Sequence, residues 1–269
     1  MRRNRVVDYL AYAVVRIFIC VIQALRIETG EVSARWLAWL FGDVLRIRRG
    51  VIDENLAHAF PKLSAEGRQR LSRRMWEHLF LLVLEVAHAP RKIHETNWRE
   101  YLGLNGVVPL VRMLLSGRPV IVVTAHLGNF ELGGFGLGVL GFPTYSVARP
   151  LDNRYLNDFL TRFRGATGQH LINKNGGYEQ IEHVLSHGGA MAFLADQCAG
   201  EKGCWVEFFG RPASAYKAIA LLAMEHQAPV AVCASPRLGR TMQFEMVLQS
   251  PLTVDATSVA GAMAVSSAH

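Results

Sequence analysis

The sequence predicts an α/β fold, a central mixed, mostly parallel sheet flanked by helices. Two observations carry this expectation. Short strand-like runs recur beyond residue 118, the first of them, Pro119 to Thr124, rich in β-branched residues. Helical stretches separate them, and strands that alternate with helices argue for a parallel-rich sheet. The first hundred residues read differently, as an apolar N-terminal helix followed by further helices.

In chain order, Tyr9 to Leu25 holds seventeen residues whose only charge is Arg16, after the basic start Arg2, Arg3 and Arg5. A membrane span wants about 20 apolar residues, and a charge at its centre costs about 2.5–3.5 kcal/mol. The segment either crosses with Arg16 snorkelling to the interface or lies in the interface. No small-x-small cleavage site follows before Glu28, so an uncleaved anchor over residues 1–27 is expected. The three arginines would keep the N-terminus cytoplasmic. Trp36, Leu37, Trp39, Leu40 and Phe41, followed by Arg46, Arg48 and Arg49, form a second amphipathic patch. It is either a headgroup-level belt or a core helix with a solvated basic edge. Leu79 to Val86 reads as core helix.

Residues 28–255 are expected to form the main domain. Its strand candidates are Pro119 to Thr124, Thr144 to Val147, Gly189 to Ala195, Pro229 to Ala234 and, at an edge, Gln243 to Leu248. Helices are expected over Glu179 to Ser186 and Ala215 to His226. The Ala/Ser/Gly/Val-rich stretch 256–269 carries little information and is expected to be frayed or an altered end.

Composition narrows the function classes. The 269 residues are 51% hydrophobic and 19% charged, which excludes bulk disorder and disulfide scaffolds. Of the formal net charge of +7, the first hundred residues carry +6. A basic, apolar first third suits an anionic membrane surface; no Lys/Arg run interleaved with aromatics points to nucleic acid. Cys20, Cys198, Cys204 and Cys233 form no CxxC, and the ten histidines show no ligand spacing, so neither disulfide nor metal is expected.

The chemistry concentrates in Thr124-Ala-His-Leu-Gly-Asn-Phe-Glu-Leu132. His126 follows a candidate strand, where open α/β sheets place their sites. Glu131 stands where the next helix begins. Along one helix the two side chains would lie about 140° apart. They meet only through a turn, which Gly128-Asn129 supplies. A carboxylate on one imidazole nitrogen would leave the other free as a general base. The alternative is a strand-end histidine and an acid placed by the helix dipole. Gly136-Leu-Gly-Val-Leu-Gly141 matches a dinucleotide-binding pattern, but that pattern needs its glycines directly after a strand and here His126 to Phe135 intervene, so tight helix packing is the expected reading.

An ordered set of short motifs resembles the lipid A biosynthesis acyltransferase family. It comprises the N-terminal apolar segment, Glu54-Asn-Leu to Phe60-Pro61, the His126-x4-Glu131 block, Ala148-Arg-Pro150 with Asn153, Arg164, Ala195-Asp-Gln197, and Phe208-Phe-Gly210 with Pro212-Ala213. The resemblance implies a glycerolipid acyltransferase-like fold and a His126–Glu131 dyad in which Glu131 orients His126. It adds Arg149, Asn153, Arg164, Asp196 and Gln197 as substrate-binding residues. The two arginines suit phosphate groups. Asp196 would orient Arg149 or the acceptor, or cap the loop that follows. An acyl thioester on acyl carrier protein or CoA would be the co-substrate, with no other cofactor. Membrane lipids and acyl carrier protein would be the partners, at the cytoplasmic face of the inner membrane, in lipopolysaccharide biosynthesis. Beyond residue 250 the sequence departs from the family's pattern. Three other readings remain: acylation of a glycerolipid, aminolipid or mannosylated inositol lipid; thioester hydrolysis; and non-catalytic lipid binding.

Overall fold

The structure, a computed structural model, describes residues 5–174, 176–201 and 203–249. The stretch 256–269 and Arg2 and Arg3 lie outside the described residues. The chain divides into two compact units. Among the described residues, the first comprises 5–12, 93–207 and 212–249, and the second comprises Ala13–Lys92 and Phe208–Arg211.

Among the described residues, the first unit is built on a seven-stranded sheet of β1 (Leu102–Asn105), β2 (Val120–Thr124), β3 (Thr144–Ala148), β4 (Gln169–Asn173), β5 (Ala190–Leu194), β8 (Val230–Ala234) and β9 (Phe244–Leu248). The order is β1-β9-β8-β2-β5-β3-β4. The run from β8 to β4 is parallel, and β9 turns antiparallel to β8 with β1 beside it. The expected mostly parallel α/β architecture is therefore present. The Gln243–Leu248 strand is not an edge, because β1 covers it. β1 and β4, the true edges, are Leu-Gly-Leu-Asn and Gln-His-Leu-Ile-Asn, too short and too polar to read as strands. β6 (Cys204–Phe208) and β7 (Arg211–Ala215) form a separate two-stranded ribbon.

β2 is Val-Ile-Val-Val-Thr, whose stiff β-branched side chains pack well on a pleated surface. Its first three residues are buried and its last two half-exposed, and β5 and β8 open in the same direction. The core beneath them joins Ile121, Met191 and Ile172 to Leu185 of α8 (Tyr178–Ser186) and Ala223 of α9 (Lys217–Glu225). Each large aliphatic side chain so buried contributes about 1.5–3 kcal/mol. The deep ends of the strands hold the fold, and the carboxyl ends are left for chemistry.

Of the other helices, α6 (Phe130–Val139) follows β2, and its glycines let it lie close to its neighbours: a Cβ at Gly138 would stand 1.8 Å from the Thr167 carbonyl oxygen, and one at Gly134 2.5 Å from Gln169 Oε1. The glycine pattern is thus a packing surface. α5 (Val108–Leu114) precedes β2, and α7 (Arg154–Gly165) follows β3.

The second unit is helical. α1 (Arg5–Ala24) enters it at Ala13, followed by α2 (Ile27–Trp39), a π-helical turn at Leu40–Val44, α3 (Arg49–Ala59) and α4 (Ala65–Lys92). Gly30, Ala34 and Ala38 form the buried stripe of α2, and a Cβ at Gly30 would meet Leu84 of α4 at 2.5 Å. Ile22 of α1 packs with Leu84 and Ala87. Phe41 sits edge-on to Phe80 at 5.2 Å, with Trp76 beside them. α1 is long and apolar enough to cross a membrane by length and composition, and only 6% of its apolar window is buried.

Candidate active site

His126 lies two residues past the end of β2, and Asp196 two residues past β5. The two strands are parallel neighbours in a register that pairs Val120 with Ala190 and Thr124 with Leu194. The Ala195 backbone N–H donates to the Thr124 carbonyl, carrying the ladder one step beyond the strands. The same register, extended to the loops, sets His126 opposite Asp196.

The carboxylate holds the histidine twice. The His126 backbone N–H donates to Asp196 Oδ2 at 2.8 Å, and ring Nδ1 stands 2.8 Å from Oδ1. An ionised carboxylate only accepts, so Nδ1 carries the proton and Nε2 is left with its lone pair. Burial pushes the Asp196 carboxyl up, but the hydrogen bonds from the His126 backbone and ring outweigh it, and the group lies below its ordinary value. The His126 ring stands edge-on to Phe130 at 4.7 Å, which limits its rotation. Both side chains remain about two-fifths exposed, at 39% and 38%, so the pair is open to solvent.

Expected beside His126, Glu131 is paired with another residue in the structure. Glu131, in the first turn of α6, faces Arg164 near the end of α7. Arg164 Nε donates to Oε2 at 3.1 Å and Nη2 donates to Oε1, a two-point ion pair that is only 18% and 14% exposed. Phe135 stacks on Phe163 in the same helix pair. Glu131 therefore fixes α6 against α7. Two nitrogens of Arg164 are committed to it rather than to a phosphate.

The turn between them is strapped down. Gly128 has φ +65°, and a Cβ there would lie 2.1 Å from the Ser235 carbonyl oxygen. The Asn129 backbone N–H donates to that carbonyl at 2.9 Å. Asn129 is fully buried and caps α6, its Oδ1 accepting from the Leu132 N–H at 3.2 Å. Ser235 follows β8, so the loops after β8, β2 and β5 meet at the carboxyl ends of these parallel strands. The sequence pointed to Asn129 only as part of a turn and did not single out Ser235; the cap-type asparagine before an apolar helix was the available signal for the cap.

The remaining expected residues divide. Asn153, expected to contact substrate, caps α7 in the structure: Oδ1 accepts from the Tyr155 and Leu156 N–H groups, and Nδ2 donates to the Asp8 carbonyl of α1. It is buried, and its polar atoms are taken by protein. Tyr9, Tyr12 and Tyr155 pack around that junction. Asp196 neither orients Arg149 nor serves only as a turn residue. Arg149, exposed after β3, pairs with Asp152 at 3.3 Å, and Gln197 is exposed beside Asp196. Both stand on loops at the carboxyl ends of parallel strands, as His126 does. The four cysteines are free.

Comparison with known proteins adds a family. The model of the bacterial lipid A biosynthesis acyltransferases matches residues 1–267. Over 162 residues, 59% of this chain, the sequence is 29% identical to a lipid A biosynthesis palmitoleoyltransferase of Escherichia coli (strain K12). The same figures hold for a lipid A biosynthesis acyltransferase of Shigella flexneri. The match covers 51% of each relative, so the chain spans about half the length of the curated relatives it matches.

Proposed function

The chain belongs to the bacterial lipid A biosynthesis acyltransferase family, and from that premise we propose that it moves a fatty acyl chain from an acyl thioester to a hydroxyl of a lipid acceptor, a lipid A precursor. The observation that carries the proposal is the doubly hydrogen-bonded His126–Asp196 pair at the carboxyl ends of two central strands. Nε2 of His126 takes the proton of the acceptor hydroxyl as its oxygen attacks the thioester carbonyl. A carbon–oxygen bond forms, the tetrahedral intermediate collapses, and the carbon–sulfur bond breaks. The leaving thiolate recovers the proton from Nε2. Asp196 stabilises the imidazolium between those two transfers. No nucleophilic serine or cysteine motif accompanies the histidine, which favours direct transfer over a covalent acyl-enzyme. Glu131 and Arg164 position α6 and, through it, the loop that bears His126. The arginine Arg149 and the amide of Gln197 are the exposed groups suited to acceptor phosphates and carbonyls. The donor is acyl carrier protein or CoA.

In the same proposal α1 anchors the protein, with the catalytic unit on the cytoplasmic face where such donors are made. Its 20 residues span about 30 Å, the thickness of a bilayer core.

The test is to incubate the protein with a labelled acyl–acyl carrier protein, with and without lipid extract. Lipid-dependent transfer is expected, falling about 10²–10⁴-fold in His126→Ala with the fold intact. Near-normal turnover by a folded His126→Ala protein removes the mechanism. Release without lipid means a hydrolase, and no turnover means a lipid-binding protein.

A further inference from the structure

We propose that the outward face of α2 and the turn after it lie in the headgroup layer of an anionic phospholipid bilayer. This rests on the membrane reading of α1 and adds a second, in-plane surface to it.

α2 is apolar on two sides. Gly30, Ala34 and Ala38 bury one stripe inside the helical unit. Val32, Trp36 and Trp39 project from the other side, about 165° away at 100° per residue. Val32 is exposed, Trp36 is 56% exposed and Trp39 44%, with the indole centroids 6.4 Å apart. The exposed Glu28, one turn before Val32, begins this row with a charge, and the next two turns carry exposed apolar side chains instead. An indole couples an apolar body to one N–H donor, which suits the boundary between acyl chains and headgroups.

The following turn repeats the pattern. Val44, Leu45 and Ile47 are exposed and interleave with exposed Arg46, Arg48 and Arg49. Arg46 and Arg48 hold left-handed backbone, φ +52° and +54°, so the turn has a fixed shape that few arginines adopt. No acid lies between Val44 and Ile52. Asp43, just before, is held by Arg73 at 2.6 Å and Gln69 at 2.8 Å. The patch is therefore an aromatic and aliphatic face flanked by three arginines, which complements a negative lipid surface. A second copy docked by two-fold symmetry would bring the same arginines against one another. The exposed apolar side chains of α1, Val14, Ile17, Phe18 and Val21, lead into this face through the bend at Leu25 and Arg26.

The experiment uses the full chain and vesicles of phosphatidylethanolamine and phosphatidylglycerol containing a phosphatidylcholine brominated near the headgroup end of its acyl chains. The wild type should sediment with the vesicles and show tryptophan quenching. Trp36→Ser/Trp39→Ser should still sediment, through α1, yet lose at least half of that quenching, with Trp76, Trp98 and Trp205 as the remaining signal. Omitting phosphatidylglycerol, or introducing Arg46→Gln/Arg48→Gln, should also reduce it. Unchanged circular dichroism is expected, since the replaced side chains are exposed. Sedimentation with unchanged quenching in the tryptophan variant overturns this inference alone. So does a tryptophan variant whose only change is a smaller mass in detergent, which would make the face a contact between copies. Failure of the wild type to sediment overturns the membrane reading of α1 and this inference together.

Discussion

Asp196→Asn tests the site most sharply, because it preserves shape and alters only hydrogen-bond polarity. In the wild type both carboxylate oxygens accept, one from the His126 backbone N–H and one from ring Nδ1. An asparagine offers one acceptor and one donor. The backbone N–H can only donate, so the amide oxygen must turn to it. The amide NH₂ then faces Nδ1, which must become the acceptor, and the ring proton moves to Nε2. The base is lost although every atom is still in place. A wrong tautomer of this kind in a serine protease triad lowers kcat about 10⁴-fold. Loss on the order of 10³–10⁴ is expected here, about 4–5.5 kcal/mol of transition-state stabilisation. Asp196→Ala leaves both tautomers accessible and should retain more activity than the isosteric variant. Stability should change by less than about 1 kcal/mol, because the pair is well exposed to solvent. The assay is acyl transfer at saturating donor and acceptor, with nitrogen NMR of the His126 ring to read the tautomer. A folded Asp196→Asn protein within tenfold of wild type, or one whose ring keeps its proton on Nδ1, would refute the reasoning.

Glu131→Gln should cost far less activity than His126→Ala, because its partner is Arg164, and should lower stability by about 1–3 kcal/mol in a thermal melt; equal losses in two folded proteins would return Glu131 to the reacting groups. Gly128→Ala places a Cβ 2.1 Å from the Ser235 carbonyl oxygen at φ +65° and should abolish transfer and lower the melting temperature, whereas unchanged values would mean the strap is dispensable. His88, buried on α4, is held below its ordinary value by burial and by nearby Lys92 and Arg91. The unfolded chain therefore binds that proton first, so stability should fall as pH drops through about 6.5, and His88→Gln should flatten that slope between pH 7.5 and 5.5.

What the sequence made legible follows from the range of each interaction. β2, β5 and β8 declare themselves through contiguous β-branched or apolar runs, and the turn at Gly128-Asn129 is a local signal that the structure uses. His126 was legible because it follows the most apolar of those runs. Its carboxylate was not. Glu131, five residues away, is the nearest acid in the chain, and proximity favoured it; but the helix that starts at Phe130 carries it toward α7, where the periodic arginine of a second helix meets it. Asp196 was visible as an acid at a strand end, yet nothing local says that β2 and β5 are neighbours. Parallel strands pair across long intervening helices, and the partner of any residue is set by register, here seventy positions along the chain. Asn153 shows the converse. Its cap geometry was readable from the helix it begins, but family pattern drew it toward substrate. Local rules therefore reach the backbone of this site, and sheet order decides which side chains share it. Any relative that keeps the β2–β5 register but lacks an acid opposite its histidine should need another group to hold Nδ1.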